Sequence, residues 1–521
     1  MGREPSVPLG VTKQMELRKG RGTMKNATDR QAIRCKFHGQ PRWLLALELG
    51  VAVAASGCGR ARVELIGAIP DGAVVSEPCP SKLASRLTIQ SIPAGKDIAW
   101  LKPGYDGFPT DERVALAVQP SGQAQIAWAE VNLAKAADGS QQPPQGVHVT
   151  PLDSSLARRG DDTLLPTALE VSGLVAHDDG FALLTRDQNP GAKIDNGDGA
   201  TVAFLVRYQN GQESFSVPLT GSASGDAPET FTVYSPSTNG QLVWNGTTYG
   251  AYFVVEGGIG DPQNGYWRDA LIFRDAFGRV APWTVVHGCE NNGGIRLIPD
   301  PGKVNLVSAT WPTIPEITGQ CIQQSPRSVK FTALEADEVV SDQEVWWPGY
   351  SGARMGSLLK ISDGYMVFWL SLGASDDHQG HDIRMARLDR NFTIVSGPTW
   401  LTRTPGREEW NLHVVPYGAN HFLMAYGEIA ITSSPGTDYA LYLGDFVGTH
   451  LSLLDASGSL VSDEIVQSAP TTADDEPVVL PGGDVAWAFV NQSPDYSQIV
   501  TTVSGPPGQS TLHVARLRYC Q

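Results

Sequence analysis

The chain has 521 residues, of which 41% are apolar and 18% charged, so a sizeable buried core is available and wholesale disorder is excluded. Its formal net charge of −16 argues against nucleic-acid binding, which needs a basic surface, and offers anionic lipid no attraction. The 56 glycines and 36 prolines indicate many turns and few long helices.

The N-terminal region has the pattern of an export signal. Residues 1–42 contain ten of the 39 Lys and Arg side chains, and the apolar run 43–57 follows and ends at Cys58. This run resembles the signal of bacterial lipoproteins, with residues 55–58 as the lipobox. The resemblance implies cleavage before Cys58 and acylation of that residue, which would hold the protein at a membrane. An ordinary secretory signal and a short anchor helix remain as alternatives.

The same resemblance predicts where the protein resides. Gly59 rather than Asp follows Cys58, which under the lipoprotein sorting rule favours the outer membrane. We therefore expect an exported protein that is lipid-anchored in the cell envelope, with residues 1–57 as leader and 58–84 as tether. Translation would begin at Met1, Met15 or Met24.

Two landmarks alternate along the rest of the chain. The first is a turn followed by an apolar strand, and the second is a strand that ends in an acidic or polar turn. The best-formed unit, Leu358–Trp400, reads as four strands joined by two tight turns and one longer loop. Copies of the second landmark lie 54 to 66 residues apart and end at Asp153, Gln209, Asp275, Glu335, Asp389, Asp455 and Arg518.

Seven such units at a steady period predict an all-β fold, a seven-bladed β-propeller of four-stranded antiparallel blades. An elongated series of β-sandwiches is the competing architecture. The propeller would span 85–521, and residues 85–92 would supply the outermost strand of the last blade and close the ring. The blades are expected at 96–165, 166–225, 240–290, 291–347, 350–404, 408–466 and 472–521.

The cysteines outside the leader are even in number, as expected for disulfides in an exported protein. In the closed ring Cys79 and Cys520 would meet at one turn, and Cys289 and Cys321 would lie on the same face. We expect these two bridges. Four free thiols and a zinc site are the alternatives.

The connections between second and third strands are long in several units, for example at 131–146, 187–199, 371–382 and 491–510. In a propeller they project from one face, where binding sites are common, although they could also be tolerated insertions. We expect neither a metal nor another cofactor. The candidate binding loop is 371–382, with Asp376, Asp377, His378, His381 and Asp382.

No nucleophile, metalloprotease or phosphate-loop motif is present, and acids that recur once per unit fit turns better than catalysis. The leader and the repeat style resemble uncharacterised lipoprotein β-propellers abundant in myxobacteria, which imply no catalytic residues. We expect a monomeric binding or scaffold module for a protein or glycan, anchored to the membrane by lipid and without a nucleic-acid partner. A carbohydrate-active hydrolase or lyase on the same face is the alternative.

Overall fold

A computed structural model of the chain describes most of its C-terminal four-fifths. The described residues are 81–98, 101–103, 109–111, 113–131, 145–187, 202–219, 232–233, 240–256, 267–280, 285–287, 292–300, 303–310, 328–335, 338–346, 354–372, 380–391, 393–433, 442–472, 475–492, 494–497 and 511–520. They lie within one compact unit, Val75–Gln521. None of the helices among them is long and apolar enough to cross a membrane.

The described chain begins with a single-turn 3-10 helix and an edge strand. The helix covers Ala84–Arg86 and leads directly into β1 (Leu87–Pro93). A separate two-stranded hairpin follows, formed by β2 (Leu101–Pro103) and β3 (Pro109–Asp111). The strand patterns in the sequence did not predict this hairpin.

The remaining strands form consecutive antiparallel sheets, here numbered I to VII in chain order. Sheet I comprises β4 (Ala115–Val118), β5 (Ala124–Glu130), β6 (Gly146–Leu152) and β7 (Thr163–Leu165). Sheet II comprises β8 (Gly173–His177), β9 (Gly180–Asp187), β10 (Val202–Gln209) and β11 (Gln212–Pro218). Sheet III comprises β12 (Thr232–Val233), β13 (Gln241–Trp244), β14 (Thr248–Glu256), β15 (Trp267–Asp275) and β16 (Val285–His287).

The C-terminal sheets repeat the same meander. Sheet IV comprises β17 (Asn292–Asp300), β18 (Lys303–Thr310), β19 (Ser328–Glu335) and β20 (Glu338–Trp346). Sheet V comprises β21 (Arg354–Ile361), β22 (Gly364–Leu372), β23 (His381–Asp389) and β24 (Ile394–Trp400). Sheet VI comprises β25 (Arg407–Pro416), β26 (His421–Ser433), β27 (Leu443–Asp455) and β28 (Leu460–Val466). Sheet VII comprises β29 (Val478–Val479), β30 (Val485–Phe489) and β31 (Thr511–Leu517), with β1 at its edge.

The all-β propeller of four-stranded antiparallel blades is confirmed, but the expected count of seven such blades is wrong. Six sheets have four strands each, and sheet III has five. The reason is a difference in strand length. The nine-residue β14 pairs with β13 only along residues 249–252. The backbone N–H and C=O groups at the other end of β14 therefore need a different partner, and β12 pairs with Val255 and Glu256 there.

The core lies between the faces of neighbouring sheets. In β22 every residue from Tyr365 to Leu370 is buried. Tyr365, Val367 and Trp369 pack with Ile298 of sheet IV, while the alternate residues pack against sheet VI. A strand that is covered on both faces buries apolar side chains at every position, which explains the unbroken apolar runs in the sequence. As expected for core residues, Trp128, Trp369 and Trp487 are at most 2% exposed.

The first strands of the sheets contact one another in sequence. The contacts run from β4 through β8, β13, β17, β21 and β25 to β29, and β29 contacts β4. We call the space that these strands surround the hub. The tight turns between first and second strands lie at one end of the sheets, here the turn face, and the longer connections between second and third strands lie at the other end, here the loop face.

The N-terminal segment is attached to the outer edges of sheets VI and VII. Strand β1 pairs with β31 along its whole length, from Leu87 opposite Leu517 to Pro93 opposite Thr511. The Glu464 carboxylate of β28 accepts the backbone N–H groups of Leu83 (2.9 Å) and Ala84 (3.0 Å) at the start of the 3-10 helix. A carboxylate at that position satisfies donors that have no partner inside the helix.

Candidate functional site

The recurrent turn acids have a structural role on the turn face. In Asp389, one carboxylate oxygen accepts the backbone N–H groups of Asn391 (2.8 Å) and Thr393 (2.9 Å) and so closes the turn between third and fourth strands. The same i+2 and i+4 pattern recurs in three other sheets, at Asp153, Asp275 and Asp455. These acids therefore shape turns and lie at the opposite end of the sheets from the longer loops.

The candidate binding loop is described only at its end. Asp376, Asp377 and His378 lie outside the described residues. His381 is fully buried, and its Nδ1 lies 2.7 Å from Oε1 of Glu408. Asp382 is 3% exposed and accepts the backbone N–H of Thr404 at 2.9 Å. These two residues join sheet V to sheet VI and its preceding segment.

Five ionisable side chains converge within the hub. We call Arg113, Arg296, His413, Asp475 and Glu476 the hub cluster. Each comes from a first strand or from the segment just before one. Arg113 donates to the backbone carbonyls of Ser172 and Gly240, so the residues just ahead of β4, β8 and β13 meet here.

Arg113 and Asp475 connect sheets I and VII across the cluster. Their nearest charged atoms, Nη2 and Oδ1, are 3.8 Å apart, and the Asp475 side chain also accepts the Leu116 N–H at 2.9 Å. The Arg113 side chain is 5% exposed. A guanidinium buried to this extent needs hydrogen bonds and opposite charge, which the carbonyls and Asp475 supply.

Arg296 and Glu476 form a second pair across the hub. The guanidinium Nε lies 3.0 Å from Oε1 of Glu476 and also donates to the Gly356 carbonyl. Burial raises the pKa of Glu476, and the positive charges of Arg296 and Arg113 only partly oppose this effect. Although protein surrounds Glu476, 36% of its side-chain surface remains accessible. Part of the side chain is therefore accessible to solvent, although its Oε1 atom is buried.

His413 is a neutral member of the cluster. Burial, with the charges of Arg296 and Arg113, lowers its pKa to about 3, although a bond to the Thr472 carbonyl favours the protonated form. Its Nε2 bonds to that carbonyl, so Nε2 carries the proton and Nδ1 is a buried acceptor without a hydrogen-bond partner.

Local irregularities of the first strands place these side chains. β21 and β25 contain bulges directly before Ser357 and His413, and β17 contains one between Asn292 and Ile295, just ahead of Arg296. A bulge turns the following side chain toward a new direction. In β21 the bulge needs Gly356, because a Cβ there would lie 2.5 Å from a Leu412 methyl carbon.

A second ionisable group lies in the middle of sheet VI. His450 stacks on Tyr426 with ring centroids 4.5 Å apart. Its Nδ1 lies 2.8 Å from Asp463, and its Nε2 lies 3.2 Å from Glu428, which also approaches Arg407. Burial alone would lower the pKa of His450, but the bonds with Asp463 and Glu428 outweigh it and raise the pKa to about 9.

Sheet I repeats this arrangement. His148 stacks on Trp128 at 4.2 Å and lies between Glu130, at 3.0 Å, and Asp162, at 3.6 Å. Here too the bonds to the carboxylates outweigh burial and raise the histidine pKa. The repeat is visible in the sequence. Residues 128–130 (WAE) and 148–150 (HVT) of sheet I correspond to residues 426–428 (YGE) and 450–452 (HLS) of sheet VI. We call each such group, an imidazolium between two carboxylates, a histidine clamp.

A pH-dependent stability follows from the clamp in sheet VI. The pKa of His450 in the folded protein is higher than its unfolded value of about 6.5. The contribution of this histidine to the free energy of unfolding is therefore complete below about pH 6.5 and is lost as the pH rises through 9. We expect His450→Gln to cost about 2 kcal/mol at pH 6, after allowance for solvent screening at the rim, and much less at pH 10. Urea unfolding of both proteins at the two pH values measures this, and an equal cost at both would contradict it.

Glu409 lies between the hub cluster and this clamp. It is 1% exposed, and one oxygen accepts the Thr402 hydroxyl at 2.6 Å. Burial and the nearby charges of Asp382 and Glu428 raise its pKa well above the usual range, despite opposing contributions from Thr402 and His450. Its Oε1 has no hydrogen-bond partner. Glu409 therefore holds its proton more tightly than an exposed glutamate does.

The sequence patterns did not predict the hub cluster, because the clearest repeats lie in the second and third strands of each sheet and the cluster lies in or before the first strands. A signal was present. Arg296, His413 and Glu476 are each followed by three or four mostly apolar residues before the first tight turn of their sheet. No group of three or more His, Cys, Asp or Glu side chains within the described ranges is arranged to hold a metal ion.

Comparisons with known proteins give structural neighbours only. No family model matches the sequence, and no curated protein matches it. The chain is similar to a protein of unknown function from Dyadobacter fermentans, with a TM-score of 0.38 and 11% identity over 82% of this chain and 99% of that one. It is also similar to an α-L-arabinanase from Penicillium chrysogenum, with a TM-score of 0.38 and 11% identity over 82% of this chain and 99% of that one.

A third neighbour is a neuraminidase-like protein from A/bat/Guatemala/164/2009, with a TM-score of 0.34 and 9% identity over 65% of this chain and 88% of that one. Likeness at this level carries no information about function. The proposals below rest on the residues of this chain.

Proposed function

We propose that this chain is a lipid-anchored β-propeller of the cell envelope that acts as a binding or scaffold module for a glycan or protein at its loop face. The observation that supports the binding role is the hub cluster. Buried charges cost folding energy unless they are paired, and charged groups rarely persist in a core without a role. Here five ionisable side chains meet within the hub, and the side chain of one of them, Glu476, remains partly accessible.

A glycan array and a protein cross-linking experiment test the binding role. The purified chain is applied to the array, and intact cells are treated with a short cross-linker before recovery of the chain. We expect specific binding in one of the two, reduced when Arg296 is replaced by Met. Absence of a specific partner in both experiments would refute the binding role.

A carbohydrate-active hydrolase or lyase remains the second candidate, and one observation favours it. Glu476 has a raised pKa, and Asp475, the residue before it, contributes a second carboxyl group to the hub cluster. A carboxyl group with a raised pKa can act as a general acid, and glycosidases pair it with a second carboxylate. Release of reducing sugar from any bound glycan, abolished in Glu476→Gln, would establish the enzyme. Binding without turnover would leave the binding module.

The anchoring rests on the sequence resemblance, since Cys58 lies outside the described residues. We propose acylation at Cys58, with the protein in the outer membrane. Metabolic labelling with a fatty-acid analogue tests it. Label should enter the wild type and be absent from Cys58→Ala, and label that persists in the variant would refute the anchor.

We also propose that β1 closes the ring, and that Cys79–Cys520 holds it closed while Cys289–Cys321 forms a second bridge. Three observations support the closing role: β1 pairs with β31, β29 contacts β4, and Cys520 takes part in a disulfide. The other three cysteines lie outside the described residues. Non-reducing peptide mapping would identify the two pairs.

A further inference from the structure

We propose that the turn face of the propeller contacts the lipid bilayer that carries the anchor, so that the loop face points away from the membrane. The inference goes beyond the proposed binding module, and it rests on the proposed acylation of Cys58. Three features of the described chain lead to it: where the chain enters the propeller, where its exposed apolar side chains lie, and how the charges beside them are arranged.

The chain enters the propeller at the turn face. Leu87, the first residue of β1, lies opposite Leu517, and Leu517 also lies opposite Val485, which follows the first tight turn of sheet VII. Just before β1, Arg86 bonds the hydroxyl of Tyr417 in the first tight turn of sheet VI, at 3.4 Å. A tether upstream of β1 therefore attaches to this side of the propeller.

The tether is short. In the sequence, 22 residues separate Cys58 from Ser81, the first described residue. A short link converts contact with the membrane into an intramolecular event with an effective concentration on the order of millimolar. Weak contacts with lipid, which would not hold a free protein at a bilayer, therefore suffice once the chain is acylated.

Most of the exposed large apolar side chains among the described residues lie at the turn face. Phe277 is 72% exposed, the largest fraction among them. Isolated exposed apolar residues are ordinary, but their concentration at one end of the sheets is typical of a contact surface. Six of the eight lie in a tight turn or within two residues of one: Phe277, Val280, Val395, Leu460, Val461 and Val479. Four of the six belong to sheets V to VII, close to where the chain enters.

The acids of these turns are directed into the turns. In sheets III, V and VI, one oxygen of the turn acid accepts backbone N–H groups of its own turn, as described above for Asp275, Asp389 and Asp455. In Asp275 the other oxygen accepts Nε of Arg279 at 2.6 Å. The chain as a whole is acidic, with a formal net charge of −16. A bilayer of neutral phospholipid therefore fits this face better than an anionic one.

Exposed guanidinium groups lie beside the apolar side chains. Arg279 is 5.1 Å from the ring centroid of Phe277, and its side chain is 72% exposed. Arg390 lies in the corresponding turn of sheet V, shortly before Val395; it is exposed and bonds the Ser362 carbonyl with one nitrogen. An arginine can pair with the phosphate of a phospholipid while apolar neighbours contact the acyl chains. The turn face thus combines the two kinds of side chain that a bilayer surface accommodates.

A photoactivatable phospholipid tests the orientation. The acylated full-length protein is reconstituted into phosphatidylcholine liposomes that contain a diazirine-bearing phosphatidylcholine. After irradiation, mass spectrometry maps the labelled peptides. We expect label in the peptides that contain Phe277, Val395 and Leu460. We expect none in the peptide that contains Leu164, which lies near the loop-face end of sheet I.

Two variants with matched exposure provide the control. Leu460 and Leu164 are 46% and 45% exposed. We expect Phe277→Ser combined with Leu460→Ser to reduce the lipid label on the unchanged peptide that contains Val395 at least fivefold. Leu164→Ser should leave that label unchanged. Native-like circular dichroism of both variants shows that a lost label does not come from unfolding.

Each contrary outcome has a distinct meaning. A chain whose intact mass shows no acyl group on Cys58 overturns the anchor and this inference with it. An acylated chain that is labelled on its loop-face peptides has the opposite orientation, and an acylated chain without label is held away from the bilayer. Both results overturn this inference and leave the anchor intact. Chemical cross-links between the turn faces of two copies, without lipid label, would assign the surface to self-association and also overturn it.

Discussion

Replacing Glu408 by leucine is expected to destabilise the fold by about 3–5 kcal/mol, because the change leaves a buried histidine without its partner. The side chains of Glu408 and His381 are both 0% exposed. The Glu408 carboxylate makes two hydrogen bonds to His381, one to Nδ1 at 2.7 Å and one to the backbone N–H at 2.8 Å. Urea unfolding followed by tryptophan fluorescence measures the loss.

A double-variant cycle separates the pair from general repacking. His381→Phe with Glu408→Leu removes both polar groups, and an apolar pair of similar size often costs little. We expect the double variant to regain at least half of the stability that Glu408→Leu loses. Glu213→Gln serves as the surface control. A loss below about 1 kcal/mol in Glu408→Leu would show that the pair does not tie sheets V and VI.

Removing the N-terminal strand should prevent the protein from folding. A chain that begins at Gly95 loses β1, the whole outer edge of sheet VII, and with it two buried side chains, Leu83 and Ile92, which are 3% and 2% exposed. Each is worth about 1.5–3 kcal/mol when buried, and the uncovered β31 edge would invite aggregation. Circular dichroism and size-exclusion chromatography compare this chain with one that begins at Val75.

Two substitutions on β1 provide a matched test within the full-length chain. Ile92→Asp places a charge in the apolar cluster between sheets I and VII, whereas Thr88→Asp places one on the exposed side of the same strand. We expect Ile92→Asp to unfold or aggregate, and Thr88→Asp to stay within about 0.5 kcal/mol of the wild type. Equal stability of the two variants, or a folded chain from Gly95 onward, would show that β1 is dispensable.

Much of the fold could be predicted because each strand carries its own signal. The Asp363-Gly364 turn and the run from Tyr365 to Leu370 identify two strands by turn chemistry and by apolar residues at every position. The edge strand near Leu87 could be predicted because the last unit lacked a fourth strand. The five-stranded sheet could not, because β12 has only two residues, and its pairing depends on the free end of β14.

The candidate site was harder to predict than the fold. Asp376, Asp377, His378, His381 and Asp382 stood out in the sequence because they are dense in one polar stretch. The described part of that stretch, His381 and Asp382, is buried in contacts between sheets. The hub cluster draws its members from residues more than 350 positions apart, so nothing local marks Arg113 and Glu476 as neighbours.

The sequence by itself determined the strand meanders, the acidic turns and the repeat, because turn residues and side-chain alternation act over a few positions. It also contains the export signal, which remains a prediction. Only the tertiary structure decided which polar residues meet. Neighbouring first strands contact one another, and bulges in β17, β21 and β25 come shortly before Arg296, Ser357 and His413. That convergence depends on packing between sheets, which no local pattern encodes.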